Sequence, residues 1–309
     1  MTAENPDHDV SISRRLFVGS LAGAAAAAGA LPLFGKEEAA SDATKKLSAI
    51  DRVKLGKTTV RPTRLGMGSG SNGGAIQRDL GQAGFTKLIR HGWDRGIRFI
   101  DTADMYKIHE FVREAIKGLP REELVIQTKI MWEQGPDVHE TLDRFRKELG
   151  MDYFDNVLIH CATKKAWPDT LKRMREQLAE AKQKGVLKAH GVSCHGLPGL
   201  REVPGCEWVD VNLARVNHRG HHMDGAKGDW SEPSIQEEAT ATLKKSHAAG
   251  KGIIGMKLVG NGDFQTAEDR EKAIQFVMKC GFVDCVVMGF KSPAEIDEGI
   301  DRINRALQS

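Results

Sequence analysis

The sequence has few cysteines, and their spacing argues against two kinds of site. Five of its 309 residues are cysteine, and no two of them form a CxxC motif. Neither a zinc ribbon nor an iron–sulfur run is therefore indicated. Because the count is odd, at least one thiol lacks a disulfide partner within the chain. The five positions are Cys161, Cys194, Cys206, Cys280 and Cys285.

The chain also has little excess charge of either sign. Its formal net charge of +3 is too small to indicate binding to nucleic acid or to a membrane surface. The composition, 40% hydrophobic and 28% charged, is that of a soluble globular protein with a sizeable core. Without an N-terminal leader roughly 260 residues remain, which suits one barrel-sized domain.

The N-terminus carries a targeting pattern. Arg14 and Arg15 stand directly before an apolar run that ends at Phe34, which is typical of a twin-arginine export signal. A Sec-type signal or a plain membrane anchor is the alternative. We expect residues 1–43 to be signal peptide and linker. Residues 44–309 would then be exported to a bacterial periplasm by the twin-arginine machinery, already folded and with no stable membrane span.

Beyond a predicted N-terminal β-hairpin, short apolar runs alternate with amphipathic segments. This alternation predicts parallel βαβ units, and eight of them favour a closed α/β (β/α)8 TIM barrel over an open sheet. The predicted strands are Thr63–Met67, Ile97–Ile100, Leu124–Thr128, Asn156–Ile159, Ala189–Ser193, Trp208–Leu213, Gly252–Met256 and Asp284–Met288. The predicted helices are Phe85–Trp93, Glu110–Lys117, Val138–Leu149, Thr170–Lys184, Glu237–Ala248, Glu268–Lys279 and Ala294–Leu307.

The sequence lacks a GxGxxG motif between a strand and a helix, which a doubly wound dinucleotide-binding sheet would require. Residues 66–71 come nearest, but their spacing is broken, and we interpret them as a flexible loop after the first strand. In a (β/α)8 barrel, the chemistry lies at the C-terminal ends of the strands. Polar residues at those ends are therefore the first candidates for a site.

Four ionisable residues meet this condition. Asp101, Lys129 and His160 end three consecutive strands, and Tyr106 lies in the loop after Asp101. We expect the Lys129 ammonium to lower the pKa of Tyr106 and Asp101 to keep Lys129 charged. Tyr106 could then exchange a proton with a carbonyl or alcohol oxygen that His160 orients. Taken singly each residue could be structural, but the set predicts catalysis.

These residues lie in segments that resemble the signature segments of the aldo-keto reductases. The segments are FIDTADMY at 99–106, VIQTK at 125–129 and DYFDNVLIH at 152–160. The resemblance implies a barrel that binds NADP or NAD across its mouth, with NADP slightly preferred. It also implies a small carbonyl or alcohol substrate, with Tyr106 as general acid/base and His160 orienting the substrate.

The sequence departs from the family pattern at four positions. Lys107 follows the tyrosine, where glycine is usual. Cys194 replaces an asparagine after the serine of the fifth strand, and Asn212 replaces a glutamine of the sixth. Gly299 replaces an asparagine of the last helix. We expect these changes to reduce the affinity for the cofactor more than they affect the fold.

The resemblance also implies a set of residues for binding the cofactor. Ser292 and Glu295 form a capping box at a helix start, and a helix N-terminus presents N–H groups to phosphate. Glu295 would repel the 2′-phosphate of NADP unless it turns back to cap the helix. The cofactor-binding candidates are Ser193, Asn212, Lys257, Leu258, Gly289, Lys291 and Ser292.

A histidine-rich loop follows the sixth strand. His218, His221, His222 and Asp224 could bind a divalent ion, but we interpret the loop as a lid, with Trp230 covering a substrate. No metal is assigned to the predicted site. Two alternatives stay open, a metal-dependent sugar isomerase or epimerase and a barrel that binds the nicotinamide cofactor without turnover.

Overall fold

Eight short apolar segments form the strands of a closed parallel barrel in the computed structural model, which describes residues 46–132, 137–227 and 232–309. The strands follow chain order, and β8 pairs with β1 to close the barrel. They are β1 (Leu65–Gly68), β2 (Phe99–Asp101), β3 (Val125–Met131), β4 (Phe154–Ala162), β5 (Leu187–Cys194), β6 (Val211–Arg215), β7 (Gly252–Met256) and β8 (Cys285–Met288). The predicted (β/α)8 barrel is confirmed. The leader and Trp230 lie outside the described residues.

Helices surround the barrel because most of them present an apolar face to it. In α2, for example, Phe85, Leu88 and Ile89 are buried at helical spacing. Within the described residues, no helix combines the length and the apolar character needed to cross a membrane. The helices are α1 (Ala75–Asp79), α2 (Gly81–Asp94), α3 (His109–Ile116), α4 (Val138–Leu149), α5 (Trp167–Thr170), α6 (Lys172–Gln183), α7 (Leu197–Leu200), α8 (Gln236–Ala248), α9 (Ala267–Lys279) and α10 (Pro293–Gln308).

The predicted N-terminal β-hairpin is not confirmed as a pair of strands. Pairing there is limited to one antiparallel bridge between Arg52 and Thr63. Pro62, beside that bridge, has no N–H with which to extend a ladder. Leu55 and Val60 instead pack into the interior of the barrel, so this segment closes the barrel at the end opposite to the predicted site.

Candidate active site

The four predicted catalytic residues converge at the C-terminal mouth of the barrel. Side chains of a strand alternate between its two faces, so residues two apart face the same way. Phe99 and Leu158 face the interior of the barrel, and Asp101 and His160, each two residues further on, therefore face it too. Lys129 faces the same interior from β3, and its side chain is 0% exposed. Tyr106 ends a 3-10 turn, Asp104–Tyr106, directly after β2. The structure therefore brings all four side chains together.

Lys129 is the centre of the hydrogen-bond network. Its ammonium donates to Asp101 Oδ1 at 2.6 Å and to the backbone oxygen of Thr102 at 2.8 Å. The same Nζ lies 3.4 Å from the hydroxyl of Tyr106. The lysine is thus held in place by two oxygens while it faces the tyrosine.

Two buried amides extend this network, and the sequence reasoning missed them. Gln127 Nε2 donates to Asp101 Oδ1 at 2.7 Å, and the Asn156 amide donates to Gln127 Oε1. Gln127 lies two residues before Lys129, and Asn156 four residues before His160, so even spacing along each strand could have found them. These amides fix the orientation of the Asp101 carboxylate.

The pKa of Tyr106 differs from the value expected from its neighbour Lys129 alone. Burial raises the pKa of Tyr106 above its usual value, and the nearby Lys129 offsets this only in part. Lys129 lowers this pKa as expected, but burial outweighs the lysine, so the net direction is upward. Burial alone would lower the pKa of Lys129, but Asp101 and Tyr106 raise it above its ordinary value. At neutral pH the pair is therefore a charged ammonium beside a protonated phenol.

His160 is buried and neutral. Burial, followed by the charge of Lys129, lowers its pKa to about 3. Its ring meets that of Tyr106 edge-on, with centroids 5.6 Å apart. A neutral imidazole in this place can donate or accept a hydrogen bond at the mouth of the barrel.

A second histidine lies beside the first and was not predicted. His195 follows β5, and its ring centroid is 6.0 Å from that of His160. Its Nε2 lies 3.2 Å from Ser193 Oγ, which places the predicted Ser193 at the mouth. Burial lowers the pKa of His195 well below its ordinary value. Cys194, between these two, is buried in the outer core, against the helices.

The structure does not bring Asn212 to the mouth. Its strand neighbours Val211 and Leu213 both lie in the interior cluster, so Asn212 faces the surrounding helices. β6 continues to Arg215, whose guanidinium is buried at the strand's C-terminal end. Burial lowers the pKa of Arg215. Arg215 is therefore a site residue that the sequence reasoning missed.

A cleft of about 450 Å³ opens beside Tyr106 and runs along the loops after β7 and β8. Its lining includes four of the predicted cofactor-binding residues, namely Lys257, Leu258, Gly289 and Lys291. Arg270 also lines it. A cleft of this size with several cationic side chains suits an anionic ligand of cofactor size.

The start of α10 is capped as predicted. Ser292 Oγ accepts a hydrogen bond from Glu295 N at 3.3 Å. The Glu295 carboxylate turns back and accepts from the backbone N–H of Lys291 at 2.7 Å. Ser292 thus caps the helix, while Lys291 and Glu295 line the cleft.

The backbone explains one departure from the family pattern. Lys107 has φ +52, in the left-handed region that glycine adopts most readily. A glycine would fit this position without strain, whereas lysine occupies it at a cost of about 1 kcal/mol or more. Its ammonium lies 3.6 Å from Asp104, at the start of the turn that carries Tyr106.

The histidine loop divides into two parts. His221 Nε2 and His222 Nε2 lie 2.7 and 2.9 Å from the same oxygen of Asp263, on the loop after β7. His218 instead packs edge-on against Phe264, with ring centroids 5.2 Å apart. The three histidines of the predicted metal set therefore do not converge.

The fold and mouth define a class of protein, a (β/α)8 barrel with a buried Asp-Lys-Tyr-His site beside a cleft lined in part by lysine and arginine side chains. The model of the aldo/keto reductase family matches residues 64–279, and the chain belongs to that family. The match covers all the predicted catalytic residues. It ends before β8 and α10, which complete the cleft.

Several curated relatives are similar over part of their length. The chain is 34% identical to methylglyoxal reductase DkgA of Escherichia coli over 69% of this chain and 76% of that relative. It is 35% identical to the 9,11-endoperoxide prostaglandin H2 reductase of Trypanosoma cruzi over 44% of this chain. That match spans only 45% of the relative's length, and the match to an aldehyde reductase of Saccharomyces cerevisiae spans 63%.

Solved structures share the fold. A putative aldo-keto reductase from Pseudomonas aeruginosa is 21% identical with a TM-score of 0.67, covering 84% of this chain and 97% of that one. An aldo-keto reductase from Klebsiella pneumoniae in complex with NADPH is 19% identical with a TM-score of 0.60, covering 84% and 90%. At these identities the similarity shows the fold alone.

Proposed function

We propose that this chain is an NAD(P)-dependent oxidoreductase that interconverts a small carbonyl compound and its alcohol. The observation that carries the proposal is the place of Tyr106, which lines the cleft while its hydroxyl lies 3.4 Å from Lys129 Nζ. A protonated phenol beside an ammonium is suited to donate a proton to a carbonyl oxygen. Family membership and the reductase names of the relatives support the same activity.

The chain's own residues supply the proton and the position of the substrate. Tyr106 donates the proton in reduction and takes it back in oxidation. Lys129 stabilises the phenolate that remains, and Asp101 holds Lys129 charged. His160, neutral and edge-on to Tyr106, hydrogen-bonds the same substrate oxygen.

The cleft fits a nicotinamide dinucleotide. Lys257, Lys291 and Arg270 give it positive charge, and the N-terminus of α10 presents N–H groups and a positive dipole end. When bound, the cofactor supplies or accepts the hydride. Lys257 and Lys291 would hold its phosphates, with Leu258 and Gly289 packed beside it.

The names of several relatives favour a small, reactive carbonyl substrate. Methylglyoxal reductases and a glyoxal reductase of Bacillus subtilis are among them. One of these relatives is named NADH-specific, whereas Klebsiella structures contain NADPH or NADP. We propose a short aldehyde as substrate, with NADP slightly preferred over NAD.

Two measurements on the same preparation test this function. Titration with NADPH and NADH, followed by tryptophan fluorescence, should show saturable binding. Tyr106→Phe should keep that binding but lose about 10²–10⁴ in the rate of methylglyoxal reduction. Binding by the wild type without turnover of any aldehyde would instead support the non-catalytic barrel. Turnover by Tyr106→Phe at the wild-type rate would exclude Tyr106 as the acid.

We also propose that the chain is exported through the twin-arginine route. Arg14 and Arg15 before the apolar run support this proposal. Fractionation of a producing bacterium should find the wild type in the periplasm and an Arg14→Lys/Arg15→Lys variant in the cytoplasm. Equal export of both would favour a Sec-type signal, and retention in the membrane fraction would favour an anchor.

A further inference from the structure

A group of nitrogen and sulfur donors that includes His160 lies at the mouth of the barrel. One donor atom each from His160, Cys161 and His195 lie within 4.8 Å of one another. Cys161 Sγ is 3.9 Å from His195 Nε2. The reductase mechanism proposed above uses neither Cys161 nor His195.

The backbone of β4 is distorted so that Cys161 joins this group. The register between β4 and β5 shifts between Ile159 and Ala162, and Cys161 has φ +59, a left-handed conformation that is uncommon outside glycine. In a regular strand, Cys161 would face away from His160. The irregularity instead places two consecutive side chains, His160 and Cys161, beside His195.

The donors are of the types that a zinc-like ion prefers. Thiolate and imidazole bind zinc at about 2.3 Å and 2.0–2.1 Å, so tetrahedral geometry separates sulfur from nitrogen by roughly 3.6 Å. The observed Cys161–His195 separation of 3.9 Å needs only a small contraction. Within the described residues, buried His160 Nδ1 also has no hydrogen-bond partner. Magnesium and calcium prefer oxygen donors and do not suit this set.

We propose that His160, Cys161 and His195 form a binding site for a divalent transition-metal ion of the zinc type. Three protein ligands leave the fourth position open to the mouth of the barrel. Binding releases the Cys161 thiol proton to solvent, because thiolate is the coordinating form. A bound ion would lie about 2 Å from a His160 nitrogen, at the mouth where the substrate oxygen is held, so the ion inhibits the reductase. The inhibition rests on the proposed function, whereas the metal site does not.

Cobalt substitution tests the site without relying on activity. The chelator-treated full chain, titrated with Co²⁺, should show a thiolate-to-cobalt charge-transfer band that saturates at one equivalent and disappears when Zn²⁺ is added. Cys161→Ser should abolish the band. His195→Gln should weaken cobalt binding by at least about tenfold, a loss that even an outer partner of a metal ligand can cause.

Matched variants identify the source of any signal. Cys206→Ser removes a half-buried thiol that lies before β6, and His221→Gln removes a histidine of the loop that contacts Asp263. Both should keep the band. A wild type without the band, or a band that survives Cys161→Ser, would overturn the proposal. If the site forms but Zn²⁺ leaves methylglyoxal reduction unchanged, the inhibitory role is wrong.

Discussion

The ammonium of Lys129 donates a 2.6 Å hydrogen bond to the carboxylate of Asp101, and both side chains are buried. Each charge compensates the other in a place that water does not reach. Because an uncompensated buried charge costs several kcal/mol, the pair is required as a unit. The same lysine lies next to Tyr106, so stability and catalysis depend on one contact.

Replacement of one partner should therefore destabilise the fold. Lys129→Met leaves Asp101 buried without its cation, and we expect the free energy of unfolding to fall by about 3–5 kcal/mol. Urea denaturation followed by circular dichroism measures this loss. The double variant Asp101→Asn/Lys129→Met removes both charges and should be more stable than Lys129→Met alone. A double variant that loses the sum of the two single effects would argue against the pairing.

Gly70 supports Tyr106 from the loop after β1. A Cβ at this position would lie 2.4 Å from Tyr106 Cζ and 2.6 Å from its hydroxyl, so Gly70→Ala must displace the phenol. A shift of about 1 Å in a catalytic group can cost roughly a hundredfold in rate. We expect kcat for aldehyde reduction to fall by at least about tenfold. Gly205→Ala, where a Cβ meets open space, is the control, and equal kcat in the two variants would contradict the contact.

Lys257 should make cofactor binding depend on pH. Burial, followed by the charge of Arg215, lowers its pKa to about 8, so the free protein loses this charge in the cleft as pH rises through 8. The Kd for NADPH should then increase by about tenfold, the effect of one charge-assisted hydrogen bond of about 1.5 kcal/mol. Fluorescence titration with NADPH at several pH values, from roughly 1.5 units below that pKa to roughly 1.5 units above it, measures this change in Kd.

Variants of the two lysines separate this effect from a general loss of affinity. Lys257→Met should bind NADPH weakly at every pH, and its Kd should show no step, that is, no tenfold increase, near pH 8. Lys291→Met should bind more weakly but keep the step, because Lys257 remains. A step that persists in Lys257→Met would assign the titration to another group.

Much of the barrel could be predicted because its strands are apolar runs between amphipathic helices. Strand ends then indicated Asp101, Lys129 and His160, since parallel strands bring those ends to one mouth. The C-terminal end of β6 was harder to predict. The apolar pattern suggested an end at Leu213, but pairing with β7 continues to Arg215. Asn212, predicted to bind the cofactor, faces the helices instead. Arg215, which was not predicted, faces the mouth.

Other features depend on contacts that a single sequence does not encode locally. Nothing in the sequence around Cys161 signals its left-handed backbone, because the register shift arises from pairing with β5. The pKa of Tyr106 depends on two opposing effects. The sequence indicated that Lys129 would lower this pKa. Burial raises the pKa by more, and the depth of burial follows only from the folded structure of the mouth.

Glu298 accepts hydrogen bonds from two arginines that line the cleft, and it should affect the choice between NADP and NAD. Its Oε1 accepts from Arg302 Nε at 2.8 Å and from Arg270 Nε at 3.3 Å, and all three residues line the cleft. Glu298→Gln removes a carboxylate that would repel a 2′-phosphate and leaves both guanidinium groups charged. We expect the Kd for NADPH to fall by roughly fivefold, or about 1 kcal/mol, with little change for NADH.

Glu271→Gln is the matched control for this preference. Glu271 also accepts from Arg302, at 2.6 Å, but it is not among the described residues that line the cleft. If repulsion at the cleft sets the preference, only Glu298→Gln should change the ratio of the two Kd values. If both variants change it equally, the position of Arg302 is the cause, because each variant frees the same guanidinium. If neither changes it, the 2′-phosphate does not bind at this part of the cleft.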